Sequence, residues 1–194
     1  MPHFISIFSI VAYWTVTVLN GISLQAGQSF SLSTRTVEIP ENGTVEHLVM
    51  RTSNIEISFQ PPAGWKADIN TNSGVIAWVS SDYATMLSLK IESEGSEKAP
   101  SLKPEDFRKL LLAERPTAKV REEFPCHAAN ASGIGFDVEQ NTDAAPSNCS
   151  RIAYIPVQGG VAQITLSTSS AEFDRRQITF TRFLNSLRVV PARL

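Results

Sequence analysis

Short runs in which apolar and polar residues alternate recur along this chain, and they constrain its fold more than any other feature. Residues 86–91 read MLSLKI, which places Leu87, Leu89 and Ile91 on one side of an extended chain. The run NIEISF at 54–59 alternates in the same way and stops at the turn-forming sequence PPAG. Such runs predict strands with one buried face. The predicted strands cover residues 30–39, 45–50, 54–59, 66–70, 74–79, 86–91, 118–124, 133–139, 151–157 and 161–168, and 188–191 is a short terminal strand or a tail.

One internal segment has helical spacing instead. Pro104 is followed by Glu105 and Asp106, which favours a helix that begins there, since proline fits the first turn and carboxylates suit the amino-terminal end of the helix dipole. Helical spacing then gives a narrow buried stripe, made of Phe107, Leu110, Leu111 and Glu114. Arg115-Pro116 ends this predicted helix.

The clearest helix lies near the C-terminus. Ser169 and Glu172 match the capping-box pattern that marks the start of a helix. We expect the buried face to consist of Phe173, Phe180, Leu184 and Leu187, widened by Phe183, with Arg175, Arg182 and Asn185 away from its centre. This helix is expected to pack on a sheet formed in part by residues 154–166.

Together these elements predict one α+β domain over residues 27–194. With 42% hydrophobic and 19% charged residues, the composition is that of a globular protein. The net charge of −2 and a pI near 5.9 leave no positive excess to hold nucleic acid or an anionic bilayer, so nucleic-acid binding is not expected.

Residues 1–26 contain no charged side chain, and their apolar stretch runs from Phe4 to Leu19. This stretch is shorter than the roughly 20 apolar residues of a membrane-spanning helix and is diluted by serine and threonine. It predicts a signal peptide, cleaved after Ala26 or Ser23, and a periplasmic or extracellular protein with no stable membrane insertion afterwards. The alternatives are an uncleaved membrane anchor and a misassigned start codon.

The chain has two cysteines, Cys126 and Cys149. An even pair in an exported chain is typical of a disulfide, which in the chain-entropy model would stabilise the fold by about 3 kcal/mol. The alternative is a pair of buried thiols in a reducing compartment.

Catalytic and metal chemistry find little support in the sequence. Cys126 adjoins His127, but neighbouring side chains on a strand point to opposite faces, so we do not expect a thiol–imidazole pair. A zinc site formed by these two residues, Cys149 and His47 has none of the usual ligand spacings. We therefore predict no catalytic residues, no metal and no cofactor.

Glycines and carboxylates of the 133–143 segment also have simple interpretations. Gly133-Ile134-Gly135 lacks the third glycine of a phosphate-binding loop and predicts a bend where a strand begins. Asp137, Glu139 and Asp143 are interpreted as solvated carboxylates.

Trp65 and Trp78 are the candidate binding-surface residues, since an indole ring supplies a large contact area at small entropic cost. The alternative for both is core packing: Trp65 follows the PPAG turn, and Trp78 lies among apolar residues. Three sequons, at Asn42, Asn130 and Asn148, matter only on a eukaryotic secretory route.

The order of these elements resembles the Mog1/PsbP-like domain, a sheet sandwiched by helices. The resemblance rests on the strand that runs into Pro61-Pro62-Ala63-Gly64-Trp65, the hairpin at 154–166, and Phe173-Asp174 before the sequence FLNSL at 183–187. It covers about residues 54–190 and implies an antiparallel sheet with helices on its faces. It does not imply a particular activity, because family members include a Ran-binding nuclear factor and extrinsic photosystem II subunits.

The resulting functional hypothesis is an exported, non-enzymatic interaction or assembly module that binds a protein or a small ligand. A small-molecule binding protein, with a pocket between the last helix and the sheet lined by Trp65, Phe180 or Phe183, is the first alternative. A thiol-dependent or hydrolytic enzyme is the least favoured.

Overall fold

The structure is a computed structural model, and it describes residues 30–39, 43–70, 74–93, 101–128, 131–142 and 145–192. The predicted signal peptide over residues 1–26, the sequons at Asn42 and Asn130, and Asp143 lie outside these ranges. Among the described residues, no helix combines the length and the apolar character needed to cross a membrane.

Eleven strands and two helices make up the described chain. In order they are β1 (Ser31–Ile39), β2 (Gly43–Arg51), β3 (Ile55–Phe59), β4 (Lys66–Asn70), β5 (Val75–Val79), β6 (Thr85–Ser93), α1 (Pro104–Glu114), β7 (Lys119–Ala128), β8 (Ala131–Thr142), β9 (Ala145–Val157), β10 (Gly160–Ser169), α2 (Phe173–Ser186) and β11 (Arg188–Pro191).

The strands form two antiparallel sheets. The small sheet has the order β1-β2-β3-β11, and the large sheet has the order β4-β5-β6-β10-β9-β8-β7. The predicted antiparallel α+β fold is confirmed at this level. The single predicted sheet is wrong, because the strands before the PPAG turn pair with one another and with the terminal strand, and not with the rest.

The main core lies where the small sheet, α2 and the large sheet meet. Phe59 of β3, Trp78 of β5 and Phe183 of α2 form its centre, with ring centroids 5.3 to 5.5 Å apart. Phe180 and Leu184 of α2 belong to the same cluster. The buried face predicted for α2 is therefore confirmed.

A second cluster surrounds α1. Phe107 and Leu111 pack with Phe136, Ile152 and Tyr154 of the large sheet. The next residues along β9, Ala153 and Ile155, belong to the main core instead. Because consecutive strand residues point to opposite faces, α1 and α2 contact different sides of these central strands.

The capping box predicted for α2 is wrong. The helix begins at Phe173, one residue after Glu172, and Ser169 lies before the intervening turn. The carbonyl of Ser169 accepts the Glu172 N–H at 3.1 Å, while the Glu172 carboxylate pairs with Arg175 and Arg176. The Glu172 side chain therefore forms ion pairs within the first turns, and not the capping hydrogen bond that the sequence predicted.

Gly133 and Gly135 do not mark a bend, contrary to the sequence interpretation, because both lie within β8. A Cβ atom at Gly133 would lie 2.0 Å from the Tyr154 carbonyl oxygen, and one at Gly135 would lie 2.2 Å from the Phe124 ring. Close packing of neighbouring strands, and not a turn, requires glycine here.

Candidate functional site

The predicted disulfide is contradicted, since Cys126 and Cys149 are both buried free thiols. Cys126 pairs with Gly133 of β8, whereas Cys149 pairs with Glu139 of the same strand. Those two positions on β8 are six residues apart, or about 20 Å at about 3.4 Å per residue. A disulfide joins Cα atoms no more than about 7 Å apart, so this sheet register excludes the bond.

Cys126 and His127 point to opposite faces of β7, as predicted. Cys126 is 5% exposed, and burial raises the pKa of its thiol to about 12. His127 is exposed, and its Nδ1 lies 3.1 Å from the Ser132 hydroxyl. A protonated, enclosed thiol without an adjacent base is a poor nucleophile. Nor does any cluster of three or more His, Cys, Asp or Glu side chains with metal-binding geometry occur in the part of the chain that the structure describes.

The carboxylates of β8 are less solvated than the sequence suggested. Asp137 is 4% exposed and accepts two hydrogen bonds from Arg151, at 2.7 and 2.6 Å. The Arg151 guanidinium also lies 4.6 Å from the centre of the Phe124 ring. Asp137 is thus half of a buried ion pair, and its predicted solvation is wrong.

The two candidate tryptophans have different environments. Trp78 is 1% exposed in the centre of the main core, so it offers no binding surface. Its indole N–H has no hydrogen-bond partner among the described residues. Trp65 is only partly buried and packs against the edge of this core.

Trp65 lines a groove of about 250 Å³ between the PPAG turn and α2. The turn is fixed to the helix because the Gln60 N–H donates to the Ser186 hydroxyl at 3.0 Å. Gly64 allows the chain to reverse, with a φ of 75° that other residues rarely adopt. The remaining lining residues are Gln60, Pro61, Pro62, Ala63, Thr179, Arg182 and Phe183.

Arg182 gives this groove its charge. Its side chain is exposed and has no ion pair or hydrogen bond with any other residue in the described ranges. Phe183, which is 2% exposed, lies one residue away and belongs to the core. The groove therefore combines aromatic and proline surfaces with one available guanidinium, a combination suited to an apolar group beside a carboxylate.

A strained turn elsewhere presents one aromatic side chain to solvent. Tyr83 lies in the turn between β5 and β6, is 69% exposed and has a φ of 57°, which is unusual for a residue other than glycine. Lys66, the neighbour of Trp65 in the chain, donates to the Tyr83 hydroxyl at 2.6 Å. Asp82 in the same turn pairs with Arg176 of α2 at 2.5 Å. These contacts hold an aromatic ring in solvent.

A polar cluster beside α1 was not found by sequence reasoning. Glu114 accepts hydrogen bonds from the Gln163 amide at 2.7 Å and from the Tyr154 hydroxyl at 3.4 Å. Lys90 lies 3.9 Å from the same carboxylate and 2.6 Å from Glu92. Burial, and next the negative charge of Glu92, raise the pKa of Glu114. These residues come from four separate elements, so no sequence spacing could have revealed them.

The fold is similar to that of a PsbP protein, in agreement with the sequence resemblance. The solved structure of cyanobacterial PsbP (CyanoP) from Synechocystis is similar to this chain with a TM-score of 0.51 and 14% identity, over 72% of this chain and 95% of CyanoP. No protein-family model matches the sequence, and the search of curated proteins finds no match.

Two further solved structures are more distant. The Saccharomyces cerevisiae Ran-binding protein Mog1p has a TM-score of 0.43 and 12% identity, over 79% of this chain and 86% of Mog1p. A Pseudomonas aeruginosa protein of unknown function has a TM-score of 0.39 and 14% identity, over 76% of this chain and 90% of that protein. At these identities the likenesses concern the fold alone.

Proposed function

We propose that this protein is an exported, non-enzymatic interaction module whose groove between the PPAG turn and α2 binds a segment of a partner protein. The observation that carries the proposal is the pairing of a partly buried Trp65 with an Arg182 that has no partner in the described chain. Tryptophan and arginine are the residue types that contribute most to protein interfaces. The charge-free apolar residues 1–26 support export.

The chemistry of the groove supports a binding role and not catalysis. Its lining residues include no histidine, cysteine, aspartate or glutamate, so they supply no conventional nucleophile–base pair. Tyr83, held in a strained turn, presents a further exposed aromatic ring outside the groove.

The size of the groove favours a protein segment over an enclosed small molecule. Its volume of about 250 Å³ is below the roughly 300–1,000 Å³ of typical small-molecule pockets. It is adequate for one or two side chains of a peptide that continues over the surface.

Affinity capture from the exported fraction of the native host tests this function. We expect wild-type protein and Arg108→Glu, which changes an exposed arginine on α1, to retain the same partner, and Arg182→Glu to lose it. A benzophenone side chain at position 179 should cross-link that partner directly. The proposal is wrong if Arg182→Glu retains every protein that the wild type captures.

A further inference from the structure

The outer face of the small sheet concentrates positive charge. Arg35 lies opposite His47, and Arg51 opposite Glu56, in the register of β1, β2 and β3. Arg188 of β11 lies opposite Ser58 of β3, on the same side of the sheet as Glu56. The other side of the sheet contributes Met50, Ile55, Ile57 and Phe59 to the core, so this outer face points away from the core.

Glu56 holds two of these arginines in place. It is 8% exposed, and its two oxygens accept from Arg35 at 2.8 Å and from Arg51 at 2.5 Å. The hydrogen bond from Arg51 is the largest cause that lowers the pKa of Glu56. The arginine side chains remain 54% and 52% exposed, so each keeps N–H groups directed to solvent. One carboxylate thus orients two guanidiniums and neutralises one of them.

Arg188 adds a third fixed cation. Its guanidinium donates to the carbonyls of Asn185 and Leu187, both at 2.8 Å, which restrains the side chain. Partial burial, and then the charge of Arg188, lower the pKa of His47 on the same face. The charge of Arg188 therefore also acts on a residue of β2.

Because side chains alternate along a strand, two acidic residues of this sheet lie on its opposite side. Glu38 and Glu46 of the β1–β2 hairpin fall on the opposite side from Arg35 and His47. Among the described residues, Glu56 is therefore the one acidic side chain on the outer face. A chain with a net charge of −2 carries a face with a local excess of about two positive charges, from three arginines and one carboxylate.

We propose that the outer face of the small sheet binds an acidic segment of a protein partner. The carboxylates of that segment would accept hydrogen bonds from the solvent-directed N–H groups of Arg35 and Arg51. Planar guanidinium groups can bind carboxylates through paired hydrogen bonds. Arg35 and Arg51 already donate to one carboxylate, that of Glu56. Val190, 47% exposed beside Glu56, adds an apolar contact typical of protein interfaces. The overall negative charge of the chain disfavours a long polyanion or an anionic bilayer. This surface is separate from the groove of the proposed function.

Fluorescence anisotropy of a labelled hexaglutamate peptide with the full-length protein tests this inference, with hexaglutamine as the uncharged probe. We expect saturable binding of hexaglutamate alone, weakened about tenfold or more by Arg35→Gln/Arg51→Gln/Glu56→Gln. Including Glu56→Gln avoids leaving a buried carboxylate without partners. The control Arg108→Gln/Lys109→Gln removes two exposed cations of α1, away from both surfaces, and should bind normally.

Equal weakening by the control would overturn the proposal, since binding would then follow total charge. Absence of hexaglutamate binding would also overturn it, and binding to phosphatidylglycerol vesicles alone would assign the face to a membrane instead. Because Arg182 belongs to the groove, loss of partner capture by Arg182→Glu without loss of hexaglutamate binding separates the two surfaces.

Discussion

At the residue scale, Cys126 and Cys149 show how neighbouring segments can keep two thiols apart. The expected disulfide assumed that the segments carrying them approach closely, but the register places the cysteines at different ends of β8. We expect no labelling of either thiol by a maleimide in the folded protein, because Cys126 is 5% and Cys149 0% exposed. Two labels should appear after denaturation without any reductant. Labelling that requires reduction as well would contradict this sheet register.

Glu114 should make stability depend on pH. Its pKa is raised in the folded state, so folding favours the protonated form. Stability from this group is therefore present below its unfolded pKa, near 4.5, and is lost as pH rises through the folded pKa. Glu114→Gln should accordingly be destabilising or neutral near pH 4. Towards pH 7 its free energy of unfolding should rise relative to that of wild type, by on the order of 1 kcal/mol.

Urea unfolding at several pH values measures this trend. Glu105→Gln, on the exposed side of the same helix, is the control and should show no such gain. The unfolding free energies of Glu114→Gln and wild type could instead differ by the same amount at every pH, or favour wild type more at pH 7. Either result would show that Gln163 and Lys90 fully compensate the charge of Glu114.

At the element scale, α2 connects the core with the groove. Phe180 is 1% exposed, whereas Arg182, two residues later, is exposed. Phe180→Ala should cost about 3 to 5 kcal/mol through lost burial and a residual cavity, a large part of a typical stability of 5 to about 15 kcal/mol. Arg182→Ala should change stability by less than about 0.5 kcal/mol. Denaturant melts compare them, and equally mild effects would mean that α2 does not pack as described.

Local periodicity predicted the elements well and their partners poorly. The run at 86–91 became β6 and the face of Phe180 and Leu184 became buried, because both patterns repeat with the period of their own element. β7 extends to Ala128, beyond the predicted end at 124, even though it contains Pro125. An edge strand tolerates proline, since its outward N–H has no ladder partner to lose. Edge position is a property of the sheet, and no local pattern encodes it.

The candidate sites illustrate the same limit. Trp65 and Trp78 were both candidates because an indole ring suits an interface. For Trp78 the alternative of core packing, indicated by its apolar neighbours in sequence, is the correct one. The outer-face arginines were missed. Arg35, Arg51 and Arg188 are far apart in sequence, and the net charge of −2 conceals their convergence. Only the pairing of β1, β2, β3 and β11 brings them to one face.

At the scale of the whole molecule, the two sheets share one core and should unfold together. Phe59 of the small sheet lies 5.4 Å from Trp78 of the large sheet, and both rings contact Phe183 of α2. Neither sheet can lose its partner without exposing these rings, each of which contributes substantial apolar burial. We therefore expect one cooperative transition, with equal unfolding free energies for the amides of β3 and β10.

Native-state hydrogen exchange of wild type and Phe59→Leu tests this coupling. The substitution removes the aromatic contact to Trp78 while keeping an apolar side chain, so it should cost about 1 to 2 kcal/mol. Protection at Ile57 in β3 and at Ile164 in β10 should fall by the same amount, although Ile164 lies in the other sheet. Val190→Ala, at an exposed position of β11, is the control and should change neither site appreciably. Loss of protection confined to β3 would show that the small sheet opens on its own, and that α2 transmits no stability between the sheets.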